Sequence, residues 1–248
     1  MKIICVIPAR YASARFPGKP LVEIGGKPMI QLVYEQALKS KYIQQVYVAT
    51  DDERIFNAVK NFGGNAVMTS PNEPSGTDRI ASAVTGLDYD IVVNVQGDEP
   101  FIDPDSIDKT IKAMVDDEQC MVSTPKIRIK NEEDYLSPHC VKVVSDTNDY
   151  ALYFSRSPIP NKIRVSEKDD EAIRKFFGFK HLGLYVYRRE ALEEYVNLKQ
   201  TFLEKIEKLE QLRFLENGYK IKVVEVEHDS IGIDTPDDLK RVIKEKGL

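Results

Sequence analysis

Two periods alternate along the chain. Short runs rich in β-branched and apolar residues, IICVI (3–7), QVYVAT (45–50), IVVNVQ (91–96) and KIKVVEV (220–226), read as strands, and stretches with helical spacing lie between several of them. In DDERIFNAVKNFGG (51–64), Ile55, Val59 and Phe62 fall on one helical face, Asp51 or Asp52 can cap its start, and Gly63-Gly64 can end it. DPDSIDKTIKAM (103–114) repeats the pattern with Ile107, Ile111 and Met114. LEKIEKLEQLRFLENG (203–218) aligns Ile206, Leu209 and Leu212 and predicts one helix closing near Gly218. DTPDDL (234–239) announces a last helix, with Thr235 as N-cap, Pro236 at the first position, and Asp237 and Asp238 at the positive end of the dipole.

Strands alternating with helices predict an α/β fold with a mostly parallel central sheet flanked by helices. The length, 248 residues, suits a single domain. Residues 131–187 mix strands with the charged loop SEKDDEAIRK and are the place for an inserted dimerisation or sugar-binding subdomain.

Charge narrows the function. Forty acidic against thirty-five basic residues give a net charge of −5, which argues against a general grip on nucleic acid or an anionic membrane. No apolar run approaches the roughly 18 residues of a membrane span, and the chain runs from Met1 straight into a strand, so a cytoplasmic protein is expected. Three scattered cysteines and three scattered histidines outline neither a disulfide framework nor a zinc site.

Against that background IPARYASARFPGKP (7–20) stands out. It gathers Arg10, Arg15 and Lys19 on the loop leaving the first strand, at the sheet edge where open α/β folds bind ligands. Cations so crowded repel unless an anion joins them, and a triphosphate would do so; three solvated surface cations are the plainer alternative. Neither G-x-G-x-x-G nor G-x-x-x-x-G-K-[ST] is present, so this is not a standard phosphate loop.

IVVNVQGDEP (91–100) carries Asp98 to the same edge, a natural Mg²⁺ ligand beside phosphates, and Asp234 in IGIDTPDDL, after a strand at 223–227, is a second one. A turn aspartate and a helix-capping aspartate are the respective alternatives. PSGTDR (74–79) offers amides and hydroxyls at a helix start, fit for a base edge or phosphate, although Ser75 or Thr77 can equally be an ordinary N-cap. Arg156, in YALYFSRSPIP (150–160), could grip a carboxylate with two hydrogen bonds.

Taken in order, IPARYASARFPGKPL, ATDDERI, SGTDRI, VNVQGDEP, YALYFSRSPIP, KHLGLYVYRREAL, IEKLEQLRFLENG and GIDTPDDL closely resemble the 3-deoxy-manno-octulosonate (Kdo) cytidylyltransferases of Gram-negative bacteria over nearly the whole chain. The resemblance implies a Rossmann-like nucleotidyltransferase fold and a homodimer. It implies that CTP and Kdo become CMP-Kdo and pyrophosphate, with Mg²⁺ as cofactor, for lipopolysaccharide synthesis. By motif, Arg10, Ser13, Arg15, Lys19, Ser75, Thr77 and Asp78 would contact the nucleotide, and Asp98 and Asp234 the metal. Gln96, Arg156, His181, Tyr185, Glu210 and Gln211 would contact the sugar, Arg156 at its carboxylate; Arg10, Arg15, Lys19 and Asp98 would carry catalysis. Pro74 stands where many members have Gln, which leaves only backbone contacts to be expected there. The alternatives from sequence are a cytidylyltransferase for 8-amino-Kdo or sialic acid, and a non-catalytic nucleotide-binding scaffold.

Overall fold

Each apolar run becomes a strand, and the chain's order decides which edge of the sheet receives the polar loops. The computed structural model describes residues 1–13 and 15–247. The first half runs β1 (Ile3–Ala9), β2 (Glu23–Ile24), β3 (Lys27–Pro28), α1 (Met29–Ala37), β4 (Gln45–Thr50), α2 (Glu53–Asn61), β5 (Asn65–Met68), α3 (Gly76–Ala83), β6 (Ile91–Asn94) and α4 (Pro104–Val115). The second half runs β7 (Val122–Arg128), α5 (Glu132–Leu136), β8 (Lys142–Ser145), β9 (Ala151–Ser155), α6 (Glu171–Arg174), β10 (Phe179–His181), β11 (Tyr185–Arg188), α7 (Arg189–Tyr195), α8 (Phe202–Glu207), α9 (Leu212–Glu216), β12 (Ile221–Glu225) and α10 (Pro236–Lys246).

One sheet follows the order β5-β4-β1-β6-β11-β7-β10-β8-β9, with β12 also on β7, while β2 and β3 form a separate hairpin. β1, at the middle of the parallel half, is buried on both faces, which explains its unbroken apolar run. Its Ile3, Cys5 and Ile7 pack with α1, α2 and α4; Ile4 and Val6 pack on the other side with α3, α7 and α9.

The sheet is mixed rather than mostly parallel. β4, β5 and β6 pair in parallel as expected. β11 then enters antiparallel between β6 and β7, β10, β8 and β9 continue antiparallel, and β12 alone in that half is parallel, to β7. Period-2 apolar runs give strands without giving their direction, so this half is not legible from pattern. Segment 131–187 supplies β8, β9, β10 and β11 to the common sheet.

The helix expected over 203–218 is two helices. Lys208 adopts the left-handed conformation, φ 56° and ψ 48°, costing about 1 kcal/mol for a residue with a Cβ. Tertiary bonds hold the break. The Glu207 carboxylate accepts from Ser155 Oγ at 2.7 Å and the Arg156 amide at 2.9 Å, and Arg156 Nε donates to the Glu207 carbonyl at 2.7 Å. Consequently Ile206 faces solvent while Leu209 and Leu212 are buried, so the expected stripe is split.

β12 begins two residues earlier than 223–227. Beyond it the chain returns to the end of β6, where the Ile233 amide donates to the Asp98 carbonyl at 2.9 Å. That bond brings Asp234 beside Asp98 across 136 residues of sequence.

Candidate functional site

Two clefts open along the ends of β1 and β6. The first, of 240 Å³, lies under the loop after β1, with Arg10, Ser13, Arg15, Lys19, Asp98 and Asp234 in its wall. The loop is shaped by Gly18, whose φ of +71° suits glycine, and whose amide donates to the Tyr11 carbonyl at 2.9 Å. Arg54 covers the Tyr11 ring, 3.3 Å from its centroid. Opposite, a Cβ on Gly97 would stand 2.8 Å from the Pro8 carbonyl, so only glycine lets the ends of β1 and β6 approach this closely.

Lys19 is the hub. Its ammonium donates to Asp98 Oδ2 at 2.7 Å and to Asp234 Oδ1 at 3.0 Å, and Arg15 pairs with the other Asp234 oxygen at 3.1 Å. Burial alone would lower the pKa of Lys19, but the two carboxylates more than offset it and hold it above the ordinary lysine value. Arg10 donates to the Glu73 carbonyl at 2.9 Å, tying this loop to the one before α3. Ser13 Oγ accepts from the Phe16 amide at 3.3 Å, inside the loop's own turn. Among the described residues no three His, Cys, Asp or Glu side chains converge as a metal cluster.

Beside Asp98, the buried Glu99 has its pKa pushed up to about 7, first by burial and then by the charge of Asp98.

The second cleft, of 380 Å³, lies between β6, β11 and the α8–α9 break, and Gln96, Thr77, His181, Tyr185, Glu210 and Gln211 all line it. Gln96 lines both clefts, so they meet at the end of β6. Thr77 Oγ1 donates to Glu210 Oε2 at 2.8 Å, which draws it to this cleft rather than to the cationic loop. Ser75 is the N-cap of α3: its hydroxyl accepts from the Asp78 amide at 3.1 Å and donates to Asp78 Oδ2 at 2.5 Å. Ser75 and Asp78 therefore border a third recess beside Arg213, outside both clefts.

His181 is buried against Phe154 and Tyr185, and burial lowers its pKa to about 3, which keeps the imidazole neutral at physiological pH. Its Nε2 lies 2.9 Å from Thr124 Oγ1. Burial also holds the phenols of Tyr185 and Tyr187 well above the ordinary tyrosine range, so both remain protonated.

Arg156 does not line either cleft. It stands behind the second one, its Nε, Nη1 and Nη2 donating to the carbonyls of Glu207, Pro138 and Lys208 at 2.7, 3.0 and 3.5 Å. Sequence reasoning missed Asn94, Tyr187, Tyr195, Lys180 and Lys208, which share the lining. Periodicity marks Tyr187 and Tyr195 as packing residues, and no local signal distinguishes a phenol that packs from one that also faces a cleft.

Comparison with known proteins bears on this arrangement. The cytidylyltransferase family profile matches residues 4–221. The chain is 56% identical over 247 residues to a 3-deoxy-manno-octulosonate cytidylyltransferase of Geotalea daltonii, covering 98% of each, and 52% identical to one of Thermodesulfovibrio yellowstonii, covering 97% of this chain and 96% of that one. Among solved structures it superposes on a CMP:2-keto-3-deoxy-manno-octonic acid synthetase complexed with CTP, with a TM-score of 0.91, 43% identity and full coverage of both chains. A 4-diphosphocytidyl-2C-methyl-D-erythritol synthase of Anaerococcus prevotii shares the fold at a TM-score of 0.64 and 16% identity, covering 100% of this chain and 99% of that one.

Proposed function

The chain belongs to the 3-deoxy-manno-octulosonate cytidylyltransferases, which join CTP to Kdo and release pyrophosphate; on that premise we propose that its two clefts divide the substrates. The cationic cleft takes the triphosphate, the second takes the sugar acid, and the bond forms where they meet. The observation that carries this reading is Gln96, which lines both. The product, CMP-Kdo, activates the sugar for lipopolysaccharide synthesis.

In this reading the anomeric hydroxyl of Kdo attacks the α-phosphorus in line while pyrophosphate leaves, and no covalent enzyme intermediate is needed. Arg10, Arg15 and Lys19 offset the charge of the triphosphate and of the leaving group. Lys19 is aimed before substrate arrives, because two carboxylates fix its ammonium. Ser13 lies in the same wall, near the reacting phosphate.

Asp98 and Asp234 fit Mg²⁺: they converge on one ammonium, and magnesium takes one or two carboxylates with phosphate oxygens and water. When bound, Mg²⁺ would supply further neutralisation of phosphate charge. Ser75 and Asp78 order the start of α3, and Arg10 fastens the preceding loop to the nucleotide cleft.

The neutral imidazole of His181, together with Tyr185, Glu210 and Gln211, matches the hydroxyls of a polyol. Arg156, outside the lining, spends three of its five N–H donors on the carbonyls behind the cleft, so its remaining two would meet the sugar carboxylate only where the acid group reaches past the rim. Lys180 and Lys208, in the lining, add positive charge for an acidic sugar.

We further propose a homodimer using the 131–187 segment, supported by Leu152, 63% exposed on the edge strand β9, and by exposed Leu136 and Ile163. No helix among the described residues is long and apolar enough to cross a membrane. A cytoplasmic location agrees with that and with three free cysteines.

Pyrophosphate release with CTP and Mg²⁺, run with Kdo, 8-amino-Kdo, sialic acid and no sugar, tests the activity. Release with Kdo alone is expected. Preference for another acid would move the sugar assignment, and CTP binding without release would point to a scaffold.

A further inference from the structure

Resting on the reading of the second cleft as the sugar site, we propose that Tyr195 is a further substrate-binding residue, whose phenolic hydroxyl, with Gln211 and Glu210, holds a hydroxyl of the sugar acid. Tyr195 is the last residue of α7, is completely buried, and lines this cleft. Among the described residues its hydroxyl has no hydrogen-bond partner, and neither does the buried Nε2 of Gln211 in the same lining. Buried polar groups are nearly always paired, and a tyrosine that serves only packing normally finds a partner for its hydroxyl. Ser75 lies near enough to the phenol to lower its pKa slightly, but its hydroxyl, which donates to and accepts from Asp78, does not reach hydrogen-bond geometry with Tyr195.

The ring is held so firmly that the hydroxyl is aimed rather than adrift. The Arg213 guanidinium lies 4.3 Å from the ring centroid and the Phe214 ring 5.0 Å away. Arg213 is itself locked by two hydrogen bonds, at 2.9 and 2.6 Å, to the buried carboxylate of Glu204. Burial, reinforced by the charge of Glu210, raises the pKa of Tyr195, so the group stays a protonated donor.

The chemistry of the three groups selects the ligand atom. Tyr195 and Gln211 donate, Glu210 accepts, and a hydroxyl can accept two hydrogen bonds while donating one. A carboxylate would meet the like charge of Glu210. The seat therefore suits an alcohol of the polyol chain and leaves the acid group to the cations of the rim.

The test is steady-state kinetics of Tyr195→Phe, which removes one oxygen and keeps the aromatic packing, with Glu210→Gln and Gln211→Ala as companions. The expected result is a five- to tenfold rise in KM for Kdo, a KM for CTP within twofold of wild type, and an unchanged melting temperature. Repeated with Kdo analogues each lacking one hydroxyl, the penalty should vanish for one of them. If the companions raise the sugar KM and Tyr195→Phe does not, the inference about Tyr195 is overturned while the cleft assignment stands. If none of the three raises it, the cleft assignment itself fails. Should Tyr195→Phe not fold, wild-type enzyme decides alone: a sugar KM indifferent to the loss of every tail hydroxyl overturns the proposal.

Discussion

Lys19 is the hub of the cleft proposed for the nucleotide, and Lys19→Met is the perturbation whose size can be worked out most fully. The substitution keeps the length of the side chain and removes only the charge and its donors. Its ammonium, 13% exposed at the side chain, is fixed by Asp98 and Asp234 before substrate binds, so little reorganisation is required during the reaction. A charge-assisted hydrogen bond contributes about 1.5–3 kcal/mol. With tenfold in rate for each 1.36 kcal/mol, loss of one such bond to the triphosphate corresponds to roughly 10- to 150-fold in kcat/KM for CTP. The effect on folding should be small, because the partner carboxylates are partly solvated and Arg15 still pairs with Asp234. Pyrophosphate release at saturating Kdo with varied CTP, alongside a thermal melt, provides the assay. Lys27→Met is the control, since Lys27 makes an exposed pair with Glu35 and should change turnover less than about twofold. A loss below about fivefold for Lys19→Met, with the fold intact, would refute the role assigned to the ammonium.

Asp98→Asn and Asp234→Asn should each reduce turnover by two or more orders of magnitude and weaken the dependence on Mg²⁺; near-wild-type rates at saturating Mg²⁺ would remove the residue from the metal site. Arg156→Ala should raise the KM for Kdo far more than that for CTP, through both the wall it supports and its free donors; an equal rise in both would contradict the assignment. His181, with its pKa lowered to about 3, should put no inflection near pH 6.5 into kcat/KM for Kdo, and an inflection abolished by His181→Gln would contradict it. The unfolded chain protonates this imidazole below its ordinary value near 6.5 while the folded protein does not, so its contribution is complete above pH 6.5 and lost as pH falls toward 3. Urea unfolding across pH 7 to 4 should therefore slope more steeply for wild type than for His181→Gln.

The parts of the fold written locally were legible. Helix α2 starts at Asp52, whose carboxylate accepts from the Arg54 amide, and α10 starts at Thr235 with Pro236 in its first turn, because a cap depends on residues two or three positions apart. Asp51, the other candidate cap, is instead paired with buried Arg79 at 2.7 Å, a contact that sequence spacing does not encode. The same limit explains the break at Lys208. Helical periodicity runs through it without interruption, and only Ser155 and Arg156, about fifty residues away, stop the helix.

The site divides in the same way. Arg10, Arg15 and Lys19 are visible as a cluster because they share one loop, and Asp98 because it ends an apolar strand. Asp234 and Asp98 become neighbours only through the return of the chain after β12. The SGTDR motif groups Thr77 with the nucleotide, whereas its bond to Glu210 turns it toward the other cleft. Nothing in the sequence singles out Tyr195, whose ring is buried in the core while it also lines the second cleft.

The central claim is the division of two substrates between clefts that meet at Gln96. It is tested most directly by a crystal structure with CTP, Mg²⁺ and a Kdo analogue lacking the anomeric hydroxyl, so that no reaction occurs. The account predicts the triphosphate against Arg10, Arg15 and Lys19, and the sugar among His181, Tyr185, Glu210 and Gln211, with the α-phosphate and the anomeric carbon facing each other beside Gln96. A sugar bound elsewhere, or a triphosphate away from Lys19, would contradict it.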